Sequence, residues 1–178
     1  MPVYAKTKLV IEDLCFAHTP REKPVIQLTY SGPNPQKIYP KLKEILRKEL
    51  AVPEHLIEEK EYHWDRSKIP EKFSAKLDVI KEMDNLSYIF IEIEVKGEIK
   101  PSKEFGSEGK FTINIDSVLR TEYPQDTIIE RSLFYEFFRN IYHKVIYKRK
   151  REEYLAQCRE LVTRLVTSLK AFFEILPK

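Results

Sequence analysis

Glycine is scarce: the chain has four in 178 residues, none of them after Gly109. That leaves no glycine-rich loop able to wrap a phosphate, and a nucleotide-binding reading has nothing to stand on. Histidine is nearly as rare. The four residues at 18, 55, 63 and 143 form no HxH, HxxxH or HExxH pattern, so neither a metal site nor a metal or organic cofactor is expected. The two cysteines, Cys15 and Cys158, stand far apart without a CxxC or Cys/His neighbourhood, and buried free thiols are the expectation. No apolar run approaches the 18 residues a membrane-spanning helix needs. The start, Met-Pro-Val-Tyr-Ala-Lys, has neither the basic opening nor the apolar stretch of a secretory signal, which places the protein in the cytoplasm.

Charge of one sign is also missing. With 31 basic against 28 acidic residues the net charge is +3, too balanced to imply nucleic-acid binding unless the basic residues cluster. What is present, 42% hydrophobic and 33% charged residues, is the composition of a globular protein, and the length suits one domain over 1–178. Abundant Lys, Glu, Ile and Tyr beside few Asn and Gln hint at a thermophile.

Along the chain, residues 3–16 and 24–31 read as an opening pair of strands separated by the turn-forming stretch His18 to Pro24. Asn34 is placed to cap a helix with Pro35 at its first position. In that helix Ile38, Leu42, Ile45, Leu46 and Leu50 form one stripe, and Val52-Pro53 ends it. A short strand follows over 56–65. Strict alternation then appears in Phe73, Ala75, Leu77, Val79, in Ile89, Ile91, Ile93, Val95 and in Phe111, Ile113, Ile115, Leu119. Each strand thus has one solvated face, the habit of antiparallel sheets. Residues 100–109 and 124–130 read as loops.

From Arg131 onward helical spacing runs almost to the end. A straight helix over 131–175 would be about 67 Å long, against a domain roughly 40 Å across, so it must bend or project. A heptad frame collects Leu155, Cys158, Val162, Leu165, Leu169, Phe172 and Leu176, with Phe134, Phe137 and Ile141 on the same frame upstream. Between them lie Lys144, Lys148 and Arg151. Either solvent exposure or a bend is therefore expected at 148–152, giving packing segments over 131–147 and 153–175. The fold class is α+β: an antiparallel sheet with one short helix after the opening strands and a long C-terminal helix packed across it.

The stretch Ile26-Gln27-Leu28-Thr29-Tyr30-Ser31-Gly32-Pro33, leading through Pro35 into Ile38-Tyr39 and Leu42, resembles the strand, proline turn and aromatic-bearing helix of the START and Bet v 1-like helix-grip superfamily. The element order resembles it too. The resemblance implies a pocket between sheet and last helix that holds lipids or other apolar molecules.

Candidate chemistry is sparse. His63 with Asp65 could form a general-base pair, but alternation aims both away from Tyr62 and Trp64, and an exposed edge-strand histidine is the expectation. His143 sits among basic residues that oppose its protonation. No catalytic residue is identified. Phe134, Tyr135, Phe137, Phe138 and Tyr142 are more rings than one core stripe can use. The leading reading is a non-enzymatic protein that binds an apolar or amphipathic small molecule, with Tyr30, Tyr62, Trp64, Phe134 and Phe138 as lining. The alternative is a protein-interaction or nucleic-acid-associated module, as a monomer or a homodimer, that uses Lys144, Lys148, Arg149, Lys150 and Arg151.

Overall fold

The computed structural model describes residues 8–16, 26–124 and 133–175. Six strands, β1 (Lys8–Leu14), β2 (Ile26–Pro33), β3 (Ile57–Asp65), β4 (Glu71–Glu82), β5 (Ser87–Ser102) and β6 (Gly106–Pro124), form one antiparallel sheet. The helices are α1 (Ile38–Leu50), α2 (Leu133–Ile141) and α3 (Lys148–Ile175). The fold is α+β, as expected, and β3 to β6 are successive antiparallel neighbours.

The opening strands do not pair with each other. Each takes one half of the long β6: β1 pairs with residues 118–124 and β2 with 108–115. β6 can serve both because it is long, and it begins inside the stretch expected to be a loop, at Gly106. β5 and β6 run to a tight turn in which Gly106 adopts φ 76°, a conformation costly for a side chain bearing Cβ. The expected turn at 18–24, all of the expected loop at 124–130 except Pro124, which ends β6, and Leu176 lie outside the described residues.

The alternating rows pack on one face. Leu77, Val79, Ile89, Ile91, Ile93, Val95, Ile113 and Leu119 are fully buried against Ile38, Leu42, Leu46 and Leu50 of α1 and Val162, Leu165 and Leu169 of α3. Each such side chain contributes about 1.5–3 kcal/mol by leaving water. The α1 stripe is as expected, but its start differs. Asn34 makes no side-chain cap; it turns left-handed at φ 55° and a short 3-10 turn, Pro35–Lys37, precedes the helix. Ala51, also left-handed, ends α1.

One register row crosses five strands: Trp64, Phe73, Gly97, Phe111 and Tyr30. Glycine sits where two rings converge, since a Cβ at Gly97 would stand 2.2 Å from Phe73 Cε1 and 2.8 Å from Phe111 Cβ. Phe173 of α3 closes over this row, 5.3 Å from the Phe111 ring and 5.7 Å from Tyr30.

The cysteines are buried as expected but are not thiols. Cys15, just after β1, is bonded to Cys158 of α3, with Cα atoms 5.9 Å apart and a sequence separation of 143. Pairing of β1 with the far half of β6 carries Cys15 to α3, and no spacing rule exposes that. Among the described residues no helix is long and apolar enough to cross a membrane.

The α-helical run is interrupted at Tyr142–Ile146, just before the charged stretch, and that stretch is largely exposed to solvent. There a π-helical turn is closed by Tyr147 N–H donating to the Tyr142 carbonyl at 2.7 Å. The charged run Lys148 to Glu153 forms the first turns of α3. Downstream, Cys158, Val162, Leu165 and Leu169 bury the seam as expected. Upstream the expectation fails: Phe134, Phe137 and Ile141 are exposed, and Arg139, His143 and Tyr147 take the inward face instead.

Candidate functional site

The inward row of α2 and the π turn is spaced every four residues, which the wide turn makes possible. It meets the end of the sheet where β1, the β4–β5 turn and the last residues of β6 converge, and that end is polar. Asp84 anchors one side. Its Oδ1 accepts the backbone N–H groups of Leu86 and Ser87 at 2.9 and 2.8 Å, and its Oδ2 accepts the hydroxyls of Tyr147 and Tyr154 at 2.9 and 3.1 Å. Burial alone would raise this carboxyl, but the four donors outweigh it and hold the group below its usual range. The Tyr147 proton goes to Asp84, so Ser87 donates to the Tyr147 oxygen at 2.7 Å and Thr121 donates to Ser87 at 2.9 Å. Burial, with the neighbouring carboxylate, raises the Tyr147 hydroxyl far above its ordinary value.

His143 anchors the other side. Arg151 Nη1 lies 2.7 Å from His143 Nε2, and a guanidinium can only donate, so Nε2 accepts and the ring proton sits on Nδ1. Nδ1–H then donates to the Tyr123 hydroxyl at 2.9 Å, which leaves the tyrosine's own hydrogen for another acceptor. Burial, and next the Arg151 charge, keep His143 below its ordinary pKa, against a weaker opposing pull from Asp13. Burial pushes the Tyr123 hydroxyl up to about 12. Asp13 of β1 lies 3.5 Å from Arg151 Nε.

Between these groups and α2 lies a cavity of about 370 Å³, lined by Leu86, Tyr123, Tyr135, Phe138, Arg139 and Tyr142. Four of its six walls are aromatic. Arg139 is only 6% exposed, yet its single ion pair among the described residues is Nη2 to Glu136 at 3.2 Å. Its Nη1 is buried with no hydrogen-bond partner among them. A buried guanidinium with unused donors costs stability unless something accepts from it. The arrangement is thus an apolar pocket with one convergent cationic donor, the form of a small-molecule site with a fixed polar anchor.

The five lining residues expected from sequence fall in three places. Phe138 lines this cavity and Phe134 lies outside it on the solvent side of α2. Tyr30 and Trp64 stand toward opposite ends of the aromatic row, Tyr30 stacked on Phe111 at 5.0 Å and Trp64 beside Phe73 at 6.2 Å. Tyr62 packs on Tyr39 at 5.0 Å, against α1. The basic residues also separate. Arg151 turns inward to His143 and Asp13, while Lys148 and Arg149 pair with Glu152 and Glu153 one turn on. Lys144 and Lys150 face solvent. His63 is exposed on the edge strand β3, and Asp65 turns back to accept from Ser67.

Sequence reasoning missed Arg139, Tyr123 and Leu86. The four-residue spacing of Arg139, His143, Tyr147 and Arg151 was the available signal, masked by the stronger apolar stripe on the same segment. On the outer sheet face, Glu58, Asp78, Glu92 and Asp116 lie in register across four strands, and burial with the neighbouring Glu92 charge raises Asp78. No group of three His, Cys, Asp or Glu able to hold a metal ion occurs among the described residues. In comparisons with known proteins, the chain matches no family model and no curated protein.

Proposed function

We propose that this is a non-enzymatic binding protein that holds an amphipathic small molecule with a carboxylate head group, in the cavity where the C-terminal helical run meets the end of the sheet. The observation that carries it is Arg139, a buried guanidinium whose Nη1 has no partner among the described residues, set in an otherwise aromatic pocket. A carboxylate at Nη1 would accept from the donor that the Nη2–Glu136 pair leaves unused, and the rings would cover the apolar body. The helix-grip resemblance points the same way, since proteins of that kind hold apolar molecules between sheet and last helix. Here the middle of that interval is filled by fully buried side chains of α1, α3 and the sheet, so the reading moves the ligand to one end. The non-enzymatic part rests on His143, whose two ring nitrogens are engaged by Arg151 and Tyr123. We place the protein in the cytoplasm of a thermophile, a setting in which intracellular disulfides are common.

Calorimetry with decanoate and with decanol tests the reading. Decanoate should bind about tenfold or more tightly than the alcohol, as a charge-assisted hydrogen bond of about 1.5–3 kcal/mol implies. Arg139→Met should erase that difference and, in the ligand-free protein, raise the unfolding free energy by about 1–3 kcal/mol by removing a buried guanidinium whose Nη1 donor is unused. Equal affinity for acid and alcohol, or binding of neither, would sink the proposal.

A further inference from the structure

The outward face of α2 and the π turn is an amphipathic stripe turned inside out. Phe134, Phe137, Ile141, Val145 and Ile146, with Phe138 and Tyr142 on the flank where they also edge the cavity, follow i, i+3, i+7, i+11, i+12 and i+4, i+8, the pattern that ordinarily marks a buried face. Yet Phe134 is 82% exposed, Phe137 62%, Phe138 65%, Val145 69% and Ile146 67%, because the opposite face carries the ionisable groups that the polar sheet end accepts. Contiguous apolar surface of this kind marks a docking site.

Charge says what docks. Residues 134–153 contain six basic residues, Arg139, Lys144, Lys148, Arg149, Lys150 and Arg151, against the acids Glu136, Glu152 and Glu153. That net +3 equals the net charge of the whole chain, so the rest of the chain is balanced. Arg139 and Arg151 turn inward, but Lys144, Lys148, Arg149 and Lys150 are exposed beside the apolar stripe. The pairs Lys148–Glu152 and Arg149–Glu153 are solvent-exposed, at 3.8 and 3.2 Å, and such pairs yield readily to a stronger anion.

We propose that this stripe seats the protein on an anionic lipid surface, with the phenylalanine and aliphatic side chains in the headgroup and upper acyl region and the lysines on the phosphates. A helix with rings and branched aliphatics on one side, flanked by lysine and arginine, is the form of an interfacial segment. None of the described helices is apolar enough to cross, so the segment lies in the interface rather than through it. A second copy of the chain fits less well, because a two-fold interface on this stripe would bring the two basic clusters together. Single-stranded nucleic acid fits less well too, since Ile141, Val145 and Ile146 have no ring on which a base could stack. The proposal goes beyond the cavity reading and holds whether or not the cavity is filled.

The test is co-sedimentation of the full chain with vesicles of phosphatidylcholine alone and of phosphatidylcholine rich in phosphatidylglycerol, at low and high salt. The wild type should pellet with the anionic vesicles about tenfold or more strongly than with the neutral ones, and salt should weaken this. Phe134→Ser with Phe137→Ser, both at exposed positions outside the cavity lining, should lose vesicle binding while circular dichroism and decanoate affinity stay unchanged. Lys144→Glu with Lys150→Glu should lose only the preference for anionic lipid. The proposal is overturned if the wild type ignores both vesicle types, or pellets equally with both. It is also overturned by a wild-type dimer in light scattering that the phenylalanine pair makes monomeric, or by retention on single-stranded DNA without vesicle binding.

Discussion

Reducing the bond between Cys15 and Cys158, or replacing both residues by alanine, should cost most of its free energy on the unfolded side. In the native state Cys15 is held twice over. β1 pairs with β6 along seven residues, and Arg159 Nε donates to the Cys15 carbonyl at 2.7 Å. Losing the bond therefore leaves the strand in place. In the unfolded chain the bond closes a loop with a sequence separation of 143, and the chain-entropy relation then gives about 5 kcal/mol. Domains have about 5–15 kcal/mol in all, so this is a third or more of the total. Guanidinium unfolding of oxidised and reduced protein reads it. With a denaturant slope of about 5 kcal/mol/M, the midpoint should fall by about 1 M on reduction. A thiol titration should find no free thiol before reduction and two after. A midpoint shift below about 0.3 M, or two titratable thiols in the untreated native protein, would refute the reasoning.

Two other outcomes are expected. His143 is buried below its ordinary pKa, so the unfolded chain binds its proton first as pH falls. Stability should therefore decline below about pH 6.5, with a slope of at most about 1.4 kcal/mol per pH unit, until the folded pKa is passed. In His143→Gln that acid limb should flatten in denaturant titrations run across pH. Gly109→Ala should lower the unfolding free energy by about 2 kcal/mol or more. A Cβ there would lie 2.0 Å from the Glu98 carbonyl oxygen, which is backbone and cannot rotate away.

What could be seen from sequence was whatever a single element decides by itself. The α1 stripe, the alternation in β4, β5 and β6 and the seam from Cys158 to Leu169 each depend on local periodicity, and each is buried as expected. Long-range choices were not visible. That β1 and β2 share β6 depends on the length of β6, whose first residues, Gly106 to Gly109, read as loop because of their two glycines and polar neighbours. The Cys15–Cys158 bond follows from that pairing. Periodicity also marked the residues of α2 without saying which side meets the protein. Phe134, Phe137 and Ile141 form the better apolar stripe, yet the sheet end they would meet holds Asp84, Ser87, Thr121 and Asp13, and only the opposite face can satisfy those groups. Arg139 stayed hidden because nothing in a sequence says whether an arginine's donors are used.

The wide turn at Tyr142–Ile146 acts as a gear between two helices. It accommodates one residue more than an ordinary helical turn of the same rise, and one residue is worth about 100° of rotation. Removing a single residue there would swing everything upstream by roughly a quarter revolution while the downstream shaft stayed bolted, through Cys158, to Cys15 just beyond β1. Arg139 would leave its pocket and the phenylalanine row would lose its outward bearing in the same movement. Insertion or deletion at this one turn thus resets which chemistry the protein shows to its surroundings, without touching its core.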